Sequence, residues 1–256
     1  MLLAIDIGNT NVVLGIIQDK EIITQWRLTT SHMRTRDEFW VTVKLLAMDA
    51  DVDIKSIDDV IISSVVPPLA DQFVLMCRKH LKKNPLIIRH DLIPDLAYDI
   101  DNPAELGADR LCDIMGALNH YPLPQIIVDM GTATTFDVIS KEKHYLGGSI
   151  MPGVETASSS LITQTAKLPK VNFLPTKSVL GKNTIEHLQA GIFWGAVDQI
   201  DAMIRRIKKE TQWNKVSVIA TGGISKLLAK YSDEITDVAP NLTLFGMAEI
   251  YKIIKK

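Results

Sequence analysis

The chain has 256 residues, of which 46% are hydrophobic and 23% charged, and these proportions are typical of a globular protein rather than a disordered or fibrous one. Its 28 basic and 30 acidic side chains leave a net charge of -2, so there is no overall basic field for nucleic acid or an anionic membrane. The only cysteines, Cys77 and Cys112, are expected to be buried thiols in a reducing compartment. No apolar run reaches the length of about 20 residues that crosses a bilayer. We therefore expect a cytoplasmic protein without nucleic-acid or membrane partners.

The first predicted element is a β-hairpin over residues 2–15, whose polar turn carries Asp6, Gly8, Asn9 and Thr10. Glycine lets backbone N–H groups come close to an anion, and the side chains that follow it add hydrogen-bond donors. A carboxylate would repel a bare phosphate, so its presence among these donors indicates a nucleotide whose phosphates carry hydrated Mg2+. The alternative interpretation is that Asp-x-Gly is merely a common hairpin turn.

The rest of the first half is predicted to complete a β-β-β-α-β-α-β order. Alternation predicts a third strand at 21–28, and helical spacing predicts helices at 39–48 and 69–81. A buried strand at 59–66 stops before two prolines, and a short strand lies at 86–89. Residues 90–105, marked by Pro94, Tyr98 and Pro103, form a long loop of the kind that is often functional, and a helix follows at 106–120.

The second half begins with a repeat of the first motif. An apolar strand at 125–129 again ends in an aspartate, Asp129, followed by Met130, Gly131 and a threonine-rich alternating strand. Two copies about half a chain apart favour a duplicated fold whose halves face each other across a cleft, and we divide the chain into domains 1–115 and 116–256. The remaining strands are predicted at 135–139, 144–148 and 216–220, and helices at 154–165, 184–209, 224–230 and before residue 254.

Further glycines and one acidic pair have two interpretations each. The pairs Gly147-Gly148 and Gly222-Gly223 are candidate phosphate contacts, and the second is equally compatible with a simple strand-to-helix turn. Asp109-Arg110 either holds a polar or anionic substrate or is an exposed pair in the first turn of a helix. Neither a Walker motif nor GxGxxG occurs, and the six histidines lack zinc-site spacing.

Five motifs, spread in order along the whole chain, resemble those of the type III pantothenate kinase family. They are DIGNTN from Asp6, PAELGADR ending at Arg110, DMGTATT from Asp129, GGSIMPG from Gly147 and ATGG from Ala220. The second and fourth are specific to that family, whereas Asp-x-Gly turns occur throughout the acetate kinase, sugar kinase, Hsp70 and actin superfamily. The resemblance implies an α/β protein with a duplicated ribonuclease-H-like (actin-like ATPase) fold of mixed sheets flanked by helices. It also implies ATP-dependent phosphorylation of pantothenate to 4'-phosphopantothenate, the first step of coenzyme A synthesis.

The resemblance assigns roles to individual residues. Asp109 would be the catalytic base, Asp129 would bind a monovalent cation, K+ or NH4+, and Asp6 would hold Mg2+ through water. The family's dimer places the site near a subunit interface, so a homodimer is expected. The implied ATP-binding residues are Asp6, Ile7, Gly8, Asn9, Thr10, Asn11, Val12, Val13 and Thr132, and the implied pantothenate-binding residues are Tyr98, Gly107, Ala108, Asp109, Arg110 and Thr184.

Two other functions are compatible with the same residues. One is a regulator on the same fold that binds ATP without phosphoryl transfer, and it would release no ADP in response to pantothenate. The other is a kinase for a different small hydroxyl or carboxyl compound, such as a sugar or acetate, which a panel of substrates would distinguish.

Overall fold

The computed structural model describes residues 1–19, 21–93 and 96–255, which form two compact units. The first unit comprises Met1–His120 and the described residues from Leu242 onward, and the second comprises Tyr121–Asn241. The division into domains 1–115 and 116–256 stays a prediction. Among the described residues, no helix is both long and apolar enough to cross a membrane.

The first unit contains the predicted antiparallel meander and two parallel strands. In the order β3-β2-β1-β4-β5, the first three strands pair antiparallel and the last two join in parallel. A further two-residue strand, β6, lies in the long loop, and Pro94 of that loop lies outside the described residues. The strands are β1 Leu2–Ile7, β2 Asn11–Gln18, β3 Glu21–Thr29, β4 Asp59–Ser64, β5 Leu86–Ile87 and β6 Ala97–Tyr98.

The second unit repeats this arrangement strand for strand. In the order β9-β8-β7-β10-β11, two antiparallel pairings are again followed by two parallel ones. Strand β9 includes Gly147 and Gly148, as predicted, and their backbones pair with β8. The strand is longer than predicted and runs on to Pro152. The strands are β7 Gln125–Met130, β8 Ala133–Ile139, β9 His144–Pro152, β10 Ser217–Thr221 and β11 Asp237–Val238.

The helices begin where the local sequence provides a cap. Thr35 and Glu38 form a capping box at the start of α1, and Asn183 caps α5 by accepting the Glu186 N–H. Pro67 both ends the strand and starts α2, since a missing N–H costs nothing in the first turn. The helices are α1 Arg36–Asp49, α2 Pro67–Met76 with a π-helical continuation Cys77–Leu81, α3 Ala108–His120, α4 Val154–Thr163, α5 Thr184–Thr211, α6 Ser225–Leu228 and α7 Leu242–Ile254.

Alternation along β1 decides which side chains face which helices. Leu3, Ile5 and Ile7 are buried in a core that also contains Phe39 of α1 and Phe73 of α2. Successive side chains of a strand point to opposite faces, so Asp6 lies on the other face of the sheet. Helices α3 and α7 pack on that face.

The contact between α3 and α7 is unusually close because both helices use glycine. A Cβ at Gly116 of α3 would lie 2.6 Å from the Leu242 carbonyl oxygen, and a Cβ at Gly246 of α7 would overlap the Cys112 carbonyl oxygen. The Thr243 hydroxyl of α7 also donates to Asp113 Oδ1 of α3 at 2.7 Å. The last helix therefore fixes the helix that carries Asp109.

In the second unit, α5 supplies most of the helical core. Its Phe193 and Val197 pack in one cluster with Val128 and Met130 of β7, so Asp129, which lies between these two strand residues, points to the opposite face. Cys77 and Cys112 are buried free thiols, as predicted.

Candidate functional site

A row of four residues crosses the first sheet at the end of β1. Asp6 pairs in register with Ser63 of β4 on one side and with Val13 of β2 on the other, and Val13 pairs with Arg27 of β3. Residues paired in register share one face of a sheet, so the carboxylate lies between a hydroxyl and, one strand further, a guanidinium. The Ser63 hydroxyl donates to Asp6 Oδ1 at 2.9 Å.

The turn after Asp6 is closed by backbone bonds and fastened to β3. The Gly8 N–H donates to the Asn11 carbonyl at 2.9 Å, and the Thr30 N–H donates to the Thr10 carbonyl at the same distance. The Thr30 hydroxyl also donates to the Gly8 carbonyl at 2.7 Å. Asn9 and Thr10 are exposed at the tip of the turn.

Helix α3 brings Asp109 to the same end of the sheet. Asp109 is close enough to Asp6 for its charge to act on that carboxyl, and its own Oδ1 accepts the Arg110 N–H at 2.8 Å. A Cβ at Gly107 would lie 2.5 Å from Asp109 Oδ1, so a side chain there would force this carboxylate to move. The structure thus brings together Asp6, Asp109 and the residues on either side of Asp109.

Burial dominates the electrostatics of this acidic pair. The pKa of Asp6 is raised to about 7, chiefly by burial and to a lesser extent by the charge of Asp109, against the lowering effects of the Ser63 hydrogen bond and of Arg27. Burial likewise raises the pKa of Asp109, against the lowering effect of the Arg110 N–H and guanidinium. A cationic ligand at this site would favour both ionised forms, since an opposite charge stabilises a carboxylate.

The equivalent row of the second unit runs through Asp129. It pairs in register with Thr221 of β10 and with Thr135 of β8, so a hydroxyl flanks the carboxylate on each side. Thr135 Oγ1 is buried and has no hydrogen-bond partner within the described part of the chain. A Cβ at Gly222 would overlap Asp129 Oδ1, and its φ of +91° is readily adopted by glycine, so a side chain is excluded there on two grounds.

The second turn is tied to the start of α4. The Gly131 N–H donates to the Ala133 carbonyl at 3.0 Å. The Thr132 carbonyl accepts the Gly153 N–H at 3.1 Å and the Thr156 hydroxyl at 2.7 Å, while Thr132 itself is exposed. Helix α6, which follows Gly222-Gly223, has only four residues, so the predicted help from its positive end is small.

The two remaining predicted substrate residues lie on different elements. The Tyr98 hydroxyl in β6 donates to the His90 carbonyl at 3.2 Å, and burial raises its pKa to about 12, so the phenol is neutral near pH 7. Thr184 is the exposed first residue of α5 in the second unit.

Sequence reasoning missed the hydroxyl neighbours of the two aspartates. Ser63 and Thr221 are buried on the strands beside Asp6 and Asp129, and Thr135 lies on the following strand of the second hairpin. A signal was present, since a serine inside the apolar run at 59–66 needs a hydrogen-bond partner when buried. The described residues contain no group of three or more His, Cys, Asp or Glu side chains that could hold a metal ion by themselves.

Comparison with known proteins agrees with the fold and the motifs. Residues 2–206 match the family model of type III pantothenate kinase. Type III pantothenate kinases from Halalkalibacterium halodurans and Exiguobacterium sibiricum are 42% and 39% identical over 252 residues, which cover 98% of this chain and 99% of each relative.

A crystal structure from Sinorhizobium meliloti, assigned as a 2-dehydro-3-deoxygalactonokinase, superimposes with a TM-score of 0.65 at 12% identity, over 99% of this chain and 97% of that one. At this identity the likeness concerns the fold alone, and it confirms the predicted actin-like α/β class. The motifs, the model match and the near full-length identity together establish that the chain belongs to the type III pantothenate kinase family.

Proposed function

We propose that this chain transfers the γ-phosphoryl group of ATP to the primary hydroxyl of pantothenate, giving 4'-phosphopantothenate and ADP, with Asp109 as the base. Membership of the type III pantothenate kinase family supports this reaction. The observation that carries the residue roles is the proximity of Asp109 to Asp6 at the end of β1. One carboxylate is thus available for the nucleotide's metal and a second for the acceptor alcohol.

The turn Asp6–Val13, which contains Ile7, Gly8, Asn9, Thr10, Asn11 and Val12, is proposed to bind the ATP phosphates, and Thr132 is proposed to bind ATP as well. The exposed tip of the turn supports this assignment. A single carboxylate, Asp6, suits Mg2+, which usually keeps several waters and binds through one or two carboxylates plus substrate phosphates. The metal supplies neutralisation of negative charge on the phosphates.

Pantothenate is proposed to bind along the start of α3, through Gly107, Ala108, Asp109 and Arg110, with Tyr98 and Thr184 as further contacts. The Arg110 guanidinium lies beside Asp109 and can pair with a carboxylate, a group that pantothenate carries. Tyr98 keeps its proton near neutral pH and therefore acts as a hydrogen-bonding group rather than a charge.

Asp109 must take the proton late in the reaction. An alcohol with a pKa near water's value of about 15.7 is not deprotonated in advance by a carboxylate, even one whose pKa burial has raised. Asp109 instead aligns the hydroxyl and accepts its proton as the oxygen bonds to phosphorus and the bond to ADP breaks. The Arg110 N–H, which donates to Asp109 Oδ1 at 2.8 Å, helps to orient the carboxylate for that step.

Asp129 is proposed to hold the monovalent cation, K+ or NH4+. The unpartnered Thr135 Oγ1 supports this, because a buried hydroxyl without a partner is costly unless a ligand satisfies it. Thr221 on the other side of Asp129 provides a second oxygen in register. A carboxylate flanked by two hydroxyls is an oxygen-rich donor set, as hard cations prefer.

A homodimer is proposed, with a second copy of the chain covering the segment that precedes α5. Three large apolar side chains around Thr184 are exposed in the single chain: Val179 by 65%, Leu180 by 75% and Ile185 by 51%. Clustered exposed apolar residues are typical of an interface. Free buried thiols and the use of ATP support a cytoplasmic location.

The test is ADP formation with pantothenate, in the presence and absence of K+, for the wild type and Asp109→Asn. We expect pantothenate-dependent ADP release that needs K+ and falls about 10^2- to 10^4-fold in the variant, with nearly unchanged ATP affinity. Near-normal turnover of Asp109→Asn would remove Asp109 from the base role. ADP release with a sugar or acetate but not with pantothenate would identify a kinase of another substrate.

A further inference from the structure

The hydroxyl of Ser63 has no role in the reaction described above, yet its placement is among the most constrained in the first unit. Ser63 is 0% exposed and pairs in parallel register with Asp6, and it donates to Asp6 Oδ1 at 2.9 Å. We infer that Ser63 is a positioning residue, which holds the Asp6 carboxylate in the orientation that binds the magnesium–nucleotide complex. The inference rests on the proposed role of Asp6.

The surroundings of Ser63 hold its hydroxyl in one direction. The Cys112 thiol of α3 lies within hydrogen-bonding reach of it and is itself fully buried. The backbone of Cys112 is in turn pressed against Gly246 of α7. Ser63 is packed against α3 on one side and hydrogen-bonded to Asp6 on the other, so it can restrict the orientation of the Asp6 carboxylate. Residues that support metal ligands act in this way.

One Asp6 oxygen is engaged by this bond. The carboxylate is then not free to rotate about its Cβ–Cγ bond, and its second oxygen keeps one direction relative to the turn that follows β1. Without the hydroxyl, the carboxylate could turn toward Arg27, which lies two strands away in the same row. We therefore expect the loss of Ser63 to act on nucleotide binding through the metal rather than on pantothenate.

The second unit has a buried hydroxyl at the equivalent position. Thr221 of β10 pairs in parallel register with Asp129 and is 1% exposed. The strands β9-β8-β7-β10-β11 repeat the order β3-β2-β1-β4-β5, so a buried hydroxyl stands beside the turn aspartate on the neighbouring parallel strand in both sheets. Because the buried hydroxyl recurs beside the aspartate of the second unit, whose core is made of different residues, we expect it to act on the aspartate and not merely to fill the core.

The experiment measures binding of Mg2+·ADP to the full chain by titration calorimetry, which needs no turnover. For Ser63→Ala we expect an affinity about 10- to 100-fold below wild type, the usual loss when a group that orients a metal ligand is removed. Ser63→Thr keeps a hydroxyl, as Thr221 does naturally, and should bind within about threefold of wild type. The matched control is Ser64→Ala, whose hydroxyl accepts the Val66 N–H instead of contacting Asp6, and it should also bind normally.

Steady-state kinetics add a second readout. The pantothenate KM of Ser63→Ala should equal that of the wild type, while the Mg2+ concentration for half-maximal rate rises about tenfold or more. A merely structural role would lower the thermal midpoint without this selective change. If Ser63→Ala does not fold, Ser63→Cys, which is close in volume and a weaker donor, should still bind more weakly than Ser63→Thr.

Normal Mg2+·ADP binding by Ser63→Ala would overturn the inference, as would equal losses in Ser63→Ala and Ser63→Thr. The proposed function fails differently. If Asp6→Asn binds Mg2+·ADP as well as the wild type does, Asp6 is not the metal's carboxylate. If Asp6→Asn loses binding while Ser63→Ala keeps it, the proposed function stands and the positioning role of Ser63 is wrong.

Discussion

The glycine contact between α3 and α7 gives a sharp prediction, because one extra methyl group should have opposite effects at two helical glycines. A Cβ at Gly246 would overlap the Cys112 carbonyl oxygen and lie 2.9 Å from the Cys112 Cα. Both are backbone atoms of α3, so no rotamer change relieves the clash. At Gly195 in α5, by contrast, a Cβ would meet no atom within 4 Å.

The expected magnitudes follow from these distances. Replacing a helical glycine by alanine stabilises a helix by about 1 kcal/mol when the methyl group is accommodated, so Gly195→Ala should raise the free energy of unfolding by about that amount. Overpacking costs roughly 1–3 kcal/mol, and a clash with backbone belongs at or above the upper end. Gly246→Ala should therefore lower the free energy of unfolding by a net of about 2 kcal/mol or more.

The assay is thermal unfolding of the two variants and the wild type at one protein concentration. For a chain of this size, about 2 kcal/mol corresponds to a fall of roughly 4–8 °C for Gly246→Ala, against a rise of a few degrees for Gly195→Ala. Gly246→Ala should also lower turnover, since α3 carries Asp109. A Gly246→Ala variant as stable as Gly195→Ala would refute the close contact between α3 and α7, and with it the inference that α7 fixes the helix that carries Asp109.

Three further predictions concern single side chains. Burial raises the pKa of Asp6 from its ordinary 3.8 to about 7. Between pH 3.8 and about pH 7, the ligand-free folded chain therefore holds a proton that the unfolded chain has released, and the free energy of unfolding falls as the pH rises. The Asp6→Asn variant should not show this fall, and it should be about 2–4 kcal/mol more stable than the wild type at pH 8 but not at pH 4. Denaturant titrations at both pH values measure the difference, and equal stability at pH 8 would contradict the raised pKa. Thr135→Val should leave the stability without K+ unchanged or higher, because it removes an unpartnered buried hydroxyl, yet raise the K+ concentration for half-maximal activity; unchanged K+ activation would separate Thr135 from the cation. Leu180→Asp should convert a dimer to a monomer in light scattering, whereas Met33→Asp, at a side chain 90% exposed in the first unit, should not; a dimer in both would place the interface elsewhere.

The sequence predicted the elements whose signals are local. The hairpin at Asp6, its repeat at Asp129 and the order of strands around them were recoverable, because strand alternation and Asp-x-Gly turns are read within about ten residues. Element ends were less accurate, since α2 begins at Pro67 and β9 runs on to Pro152. Those ends depend on caps and strand partners that periodicity does not record.

The parts of the site that the sequence did not reveal are produced by pairing between distant segments. Ser63 meets Asp6 only because β4 joins β1 in parallel, 57 residues further along the chain. The contact between Gly246 and Cys112 likewise depends on the last helix returning to the first unit. A serine inside an apolar run signals that it needs a hydrogen-bond partner, but no local pattern identifies that partner, and none marks such a glycine as a close helix contact.

The two aspartate rows differ in a way that agrees with the different ligands proposed for them. Both begin with a buried hydroxyl and the aspartate, Ser63 with Asp6 and Thr221 with Asp129. They differ on the hairpin side. The first row continues through an apolar valine to Arg27, a cation that suits a site for phosphates, whereas the second continues through the unpartnered Thr135 hydroxyl to Ile150. A guanidinium favours an anionic ligand, and the oxygen of an unpartnered hydroxyl can bind a cation, so the divergence at these two strand positions agrees with the different ligands proposed for the repeated turns.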